Sequence, residues 1–186
     1  ISVTSVRVRT TPFTCGGQAS ETISRRSGAR ACRPARGRVN AALEAAPLRL
    51  LIVSDAWHPQ VNGVVRTLTL VTDILRRQGD VVEVVGPDRF RSMATPGYKE
   101  IRLALFPRRK LEAIAQSFMP CAVHIATEGP LGWAMRRICR RNGWPFTTAY
   151  HTKFPEYVHA RTRIPTRLSW SVMRRFHEAG EATLAA

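Results

Sequence analysis

LRLLIVSDAWHPQVNGVVRTLTLVTDILRRQG, Leu48 to Gly79, is the stretch that decides the fold. Leu48 to Val53 is a nearly unbroken apolar run with β-branched members, the composition of a parallel strand buried on both faces. Asp55 to Val61 reads as a loop. Asn62 is then placed to cap a helix whose apolar face is Val64, Leu68, Val71 and Leu75, spaced by four, three and four. Gly79 ends that helix. Strand, loop and amphipathic helix in this order form the first βα unit of a nucleotide-binding type of sheet, in which ligands lie at the carboxyl ends of the strands. Functional residues are therefore sought between Asp55 and Arg66.

Toward the amino terminus, residues 1–47 hold no sustained period and are rich in Arg, Ser, Thr and Gly, with only Glu21 and Glu44 acidic. An organellar transit peptide has this composition. So does a disordered extension, or sequence translated upstream of the true start, and these are the preferred expectation because patterning begins abruptly at Leu48. No uninterrupted apolar segment follows the basic residues, which argues against a secretory signal.

Toward the carboxyl terminus the alternation of strand and helix continues. Val81 to Val85 is a short β-branched run closed by Gly86-Pro87-Asp88, Arg89 to Tyr98 reads as a surface loop, and Ile101 to Leu105 as a short strand. Pro107 suits a helix start, with Leu111, Ile114, Ala115 and Phe118 on one face. Cys121 to Ala126 is the next buried strand, and Pro130 opens a helix that ends at Gly143 with Arg136, Arg137, Arg140 and Arg141 crowding its last turns. Phe146 to Tyr150 is a further strand. A last helix runs from about Pro165 to Ala179 with Leu168, Val172 and Phe176 spaced by four, and Ala182 to Ala186 opens another strand. The fold class is α/β: one Rossmann-like domain, a parallel sheet covered by helices on both faces.

The net charge of +16 invites three readings: nucleic-acid binding, attraction to an anionic membrane, or handling of phosphorylated ligands. Arginine richness spread over the whole chain, marking no patch, is the fourth. No run reaches the roughly 18 apolar residues that span a bilayer. Cys15, Cys32, Cys121 and Cys139 show no CxxC spacing, so reduced thiols in a cytoplasmic protein are expected.

GxSxG, GxxxxGK[ST], HExxH and GxGxxG are all absent, and the histidines do not pair with cysteines at zinc spacing. Polar and aromatic residues do collect at three predicted strand ends: Asp55, Trp57, His58, Asn62, Gly63 and Arg66; then Thr127, Glu128 and Gly129; then His151, Thr152, Lys153, Phe154 and Tyr157. Gly63 at a helix start can offer backbone N–H groups to a phosphate, or be a plain helix-entry turn. Glu128 binds hydroxyls or caps the next helix, with equal weight. Trp57 and Tyr157 stack on a sugar ring or simply pack. A lone loop histidine such as His151 contacts a transferred group or rests on the surface, and His124, alternating within an apolar strand, is read as a satisfied strand residue.

Four segments carry a resemblance: SDAWHPQVNGVVRTL (Ser54 to Leu68), IRLALFPRR (Ile101 to Arg109), VHIATEGPLGWAMRR (Val123 to Arg137) and FTTAYHTKFPEYVHAR (Phe146 to Arg161). Together and in order they resemble the amino-terminal half of family 4 glycosyltransferases, nearest the bacterial α-mannosyltransferases and glycolipid glycosyltransferases. The resemblance covers Leu48 to Ala186. It implies a GT-B architecture, with an acceptor-side domain at residues 48–186 that stops before the donor-binding domain. It also implies retention of anomeric configuration, no metal or other cofactor, a nucleotide-sugar donor such as GDP-mannose, and a lipid or glycolipid acceptor.

By the same resemblance Asn62, Gly63 and Val64 form the loop that meets the donor phosphate and the acceptor, and His151 lies beside the transferred sugar as the catalytic residue. Asp55, Trp57, Arg66, Glu128 and Tyr157 fall at acceptor-side positions. A cytoplasmic location at the inner membrane face is expected, with peripheral contact to anionic lipid and no nucleic-acid partner. No Glu-x7-Glu donor-binding segment is present, so the chain alone is expected to be nearly inert. The competing expectation is a non-catalytic basic module that binds anionic lipid or nucleic acid, or a gene fragment.

Overall fold

The computed structural model describes residues 47–95, 98–151, 163 and 165–185. Residues 1–46, Thr152, Lys153, Phe154 and Tyr157, on which several expectations fall, lie outside the described residues. The elements run β1 (Arg49–Val53), α1 (Gly63–Arg77), β2 (Val81–Val85), a 3-10 turn (Pro87–Arg89), β3 (Ser92–Thr95), β4 (Tyr98–Ala104), α2 (Arg108–Phe118), β5 (Ala122–Ile125), α3 (Pro130–Asn142), β6 (Thr147–Tyr150), α4 (Thr166–His177) and β7 (Ala182–Ala185).

Five of the strands make one parallel sheet in the order β2-β1-β5-β6-β7. Because side chains alternate along a strand, β1 feeds two cores at once. Leu51 and Val53 join Val123, Ile125, Leu111, Leu131, Met135, Ile138 and Phe176, the layer under α2, α3 and α4, whereas Leu50 and Ile52 join Val82, Val84 and Leu68 under α1. Burial on both faces is why β1 reads as an unbroken apolar run. The α/β reading with helices on both faces is thus the observed architecture.

Two helix faces differ from those expected. On α1 the buried residues are Val65, Leu68 and Thr72, while Val71 is exposed. On α4 they are Ser169, Met173 and Phe176, while Leu168 and Val172 are exposed. On α1 the expected Val64, Leu68 and Leu75 do pack in the core under that helix, joined by Val65 and Thr72 in place of Val71, whereas on α4 Phe176 is buried as expected and Ser169 and Met173 replace Leu168 and Val172. The stretch from Arg89 to Tyr98 also differs: Ser92–Thr95 pairs antiparallel with Tyr98–Ala104 in a separate two-stranded ribbon. Half-exposed Met93 shows why no periodicity announced it, since β3 has no face in the core.

Among the described residues, Arg49, Arg76 and Arg136 tie elements of the fold together. Arg49 donates to the Phe118 carbonyl at the end of α2 and lies over the Phe118 ring, Arg76 donates to the Val82 carbonyl, and Arg136 donates to the Arg175 and Phe176 carbonyls that end α4. Cations at helix carboxyl ends are favourable. Cys139 is a buried free thiol whose pKa burial pushes up to about 12. Cys121 is disulfide-bonded, contrary to the expectation of four reduced thiols. Among the described residues no helix is long and apolar enough to cross a membrane.

Candidate functional site

β1, β5 and β6 are neighbours in the sheet and run in the same direction, so the segments that follow them leave one edge side by side. These segments carry Asp55 to Gly63, Thr127 to Gly129, and His151. From β1 the chain moves outward to β2 on one side and resumes at β5 on the other, which makes the gap between β1 and β5 the topological switch point. Gly63, Glu128 and His151 therefore share one rim.

Asp55 ties the first two loops together. Its buried carboxyl group accepts from the Leu131 N–H (2.8 Å), the Gly132 N–H (3.2 Å) and the Thr127 hydroxyl (3.0 Å), while its own N–H donates to Thr127 Oγ1 (2.6 Å). It thereby fills the amino terminus of α3, where a carboxylate complements both the free N–H groups and the dipole. Burial pushes this carboxyl above the ordinary carboxylate range, and the hydrogen bonds from Leu131, Gly132, Thr127 and Gly129 oppose that rise. The approach requires two glycines. A Cβ on Gly129 would sit 2.4 Å from Asp55 Cγ, and one on Gly132 would sit 1.9 Å from the Thr127 carbonyl oxygen. Asp55 thus faces α3 and ties the loop after β1 to the loop after β5.

Gln60 extends the link. It is buried, donates from Nε2 to the Asp55 carbonyl (3.3 Å), and accepts at Oε1 from Asn62 Nδ2 (3.3 Å). Sequence reading passed over it because glutamine in a loop carries no spacing signal. Asn62 caps α1 as expected, its Oδ1 accepting from the Val65 N–H at 3.0 Å. The amino terminus of α1 differs from that of α3 in one respect: its cap is neutral, its first turn holds no acidic residue, and nothing lies within 4 Å of where a Gly63 Cβ would stand. Val64 packs partly against the α1-side core, and Arg66 is exposed one turn on. Trp57 is committed to packing: it meets the His58 ring edge-on and abuts Gly86, where a Cβ would come within 2.6 Å of Trp57 Cβ.

Farther along the rim, Glu128 Oε1 stands 3.3 Å from His177 Nε2. The pair has charge proximity without hydrogen-bond alignment, since both atoms are buried and neither has a hydrogen-bond partner. His177 is held from its other nitrogen by Thr148 Oγ1 at 2.9 Å, and Thr148 in turn meets Thr183. No motif signals His177, which ends a helix far from the quoted segments. His151 Nε2 is likewise buried without a hydrogen-bond partner. An orphaned buried polar atom costs roughly 1–3 kcal/mol, so His151 Nε2 suits a polar ligand that would satisfy it.

His124 behaves as a strand residue. It meets Thr147 Oγ1 at 2.9 Å, and burial, followed by the nearby His151, lowers its pKa to about 4. Because the unfolded chain takes up this proton near pH 6.5, the contribution is complete above that pH and is lost as pH falls toward 4. Wild type should accordingly lose up to about 3 kcal/mol more than His124→Gln between pH 7.5 and pH 4.5 in urea denaturation. Equal losses in the two proteins would show that His124 does not titrate differently on folding.

The layered sheet and the rim at its switch point define an α/β domain of Rossmann-like type. Sequence comparison then gives the family: residues 61–186, more than half of the chain, match the model of Glycosyltransferase Family 4, and the chain belongs to that family. It is 29% identical over 157 residues to a GDP-mannose-dependent alpha-mannosyltransferase of Mycobacterium tuberculosis, covering 74% of this chain and 41% of that protein. It is 27% identical to the protein of the same name in Mycolicibacterium smegmatis, covering 74% of this chain and 42% of the relative. Against an alpha-monoglucosyldiacylglycerol synthase of Acholeplasma laidlawii it is 26% identical over 137 residues, or 66% of this chain and 34% of the relative. The chain spans less than half the length of these curated relatives.

Proposed function

We propose that residues 48–186 form the acceptor-side wall of a sugar-transfer cleft in a retaining, metal-independent GT-B hexosyltransferase. The donor is a nucleotide sugar, GDP-mannose in the first instance, and the acceptor is a lipid or glycolipid at the cytoplasmic membrane face. The observation that carries this reading is the contrast between two helix starts on one rim: α3 is filled by Asp55, whereas α1 has no built-in anion and an open approach at Gly63. Backbone N–H groups and the positive dipole end at α1 suit a donor phosphate. The names of the relatives, mannosyl transfer from GDP-mannose and glycolipid synthesis, support the substrate classes.

In this reading Asn62, Gly63 and Val64 meet the donor phosphate, and Arg66 adds positive charge one turn along. The buried Nε2 of His151 takes a hydroxyl of the transferred sugar, and Glu128 a hydroxyl of the acceptor. Charge that develops on the leaving diphosphate needs fixed cations. Those belong to a second domain carrying a Glu-x7-Glu segment, so these residues by themselves should transfer little.

A panel of nucleotide sugars offered to the two-domain enzyme carrying this domain tests the proposal, with His151→Ala alongside. Mannose transfer from GDP-mannose should exceed that from the other donors, and the variant should lose about tenfold or more, the worth of a hydrogen bond made at the reacting sugar. Undiminished transfer would remove His151 from the site.

A further inference from the structure

Between α3 and α4 lies a groove of about 410 Å³ lined by Trp133, Arg136, Arg137, Arg140, Val172 and Arg175. Four of its six lining residues are arginines and none is acidic. Arg136 is already committed to the end of α4. Arg137, Arg140 and Arg175 are exposed, and no described carboxylate pairs with them, although Arg141 on the same helix does find Glu112 and Arg89 finds Glu83. The neighbouring charges register on the buried member, since Arg140, Arg175 and Arg137 add to burial in lowering the Arg136 pKa. Trp133, with the Arg136 guanidinium 5.2 Å from its ring centre, and exposed Val172 give the groove an apolar wall. Unpaired guanidinium groups on two facing helices repel one another, and an anion between them relieves that repulsion.

We propose that this groove is a binding site for the phosphate group of an organic phosphate, held by Arg137, Arg140 and Arg175 with the adjoining carbon skeleton against Trp133 and Val172. This site is independent of the sugar-transfer reading. It accepts either a soluble phosphate or the headgroup of an anionic lipid.

The test uses the full chain, titrated with inorganic phosphate at constant ionic strength and, separately, with phosphatidylcholine vesicles with and without phosphatidylglycerol. Arg140→Gln/Arg175→Gln removes one cation from each wall, and Arg77→Gln/Arg91→Gln removes the same charge from exposed positions elsewhere. The groove variant should bind about 25-fold more weakly and the control less than threefold, at about fivefold per lost phosphate contact. Loss in the phosphate titration assigns a soluble ligand, and loss confined to phosphatidylglycerol vesicles assigns a lipid headgroup. Equal weakening of both variants would mean diffuse attraction to a chain of charge +16, and no binding in either titration would mean that there is no site; each overturns the proposal.

Discussion

Gly132→Ala should lower the stability of the domain by at least about 3 kcal/mol, a large share of the roughly 5–15 kcal/mol that holds a domain folded. The added methyl group would lie 1.9 Å from the Thr127 carbonyl oxygen, a backbone atom that moves only if the loop after β5 moves. That loop cannot move alone, because the Thr127 hydroxyl is shared with the Asp55 N–H and carboxyl group, and Gly132 itself donates to Asp55. The clash thus dislocates β1's loop from α3 as well as straining one turn. Urea denaturation measures it. Gly143→Ala, at a helix end with φ 65° and open space around the Cβ, should cost only about 1 kcal/mol. A Gly132→Ala protein as stable as Gly143→Ala would show that the close approach of α3 to Thr127 is not real.

Asp55→Ala carries the second large effect, a loss of about 2–4 kcal/mol, since it strands the Leu131 and Gly132 N–H groups and removes a partner of the Thr127 hydroxyl. Because those groups are buried, water replaces the carboxyl group poorly. Asp55→Asn keeps one acceptor oxygen and should lose roughly half as much. Transfer by the two-domain enzyme should fall together with stability in both variants, which separates a rim-holding role from direct contact with the acceptor. An Asp55→Asn enzyme of unchanged stability with abolished transfer would reverse that assignment.

Much of this was legible in the sequence because its physical causes are local. β1, β2 and β5 are short, largely apolar runs, and the proline and glycine at the two ends of α3 mark it by restricting backbone angles. Asn62, Glu128 and His151 could be assigned to one edge because parallel strands send their following loops to the same side. What could not be read depends on partners distant in sequence. Asp55 finds its use 76 residues away at Leu131, and His177 is turned toward the rim by Thr148 on another strand. Thr72 and Ser169 were missed as buried positions because how closely a helix may approach a sheet is set by the space left between them, not by hydrophobicity. The free approach at Gly63 shows only by contrast with the filled start of α3.

That contrast is tested most directly by placing an anion where the donor phosphate is proposed to lie. Gly63→Asp fits without a clash and adds an acid to a first turn that has none, so the domain should melt no lower than with Gly63→Asn, which has the same shape without the charge. In the two-domain enzyme the KM for GDP-mannose should be about tenfold higher for Gly63→Asp than for Gly63→Asn, from like-charge repulsion across a few ångströms. Equal KM values for the two variants would contradict the account, because the start of α1 would then face something other than the donor phosphate.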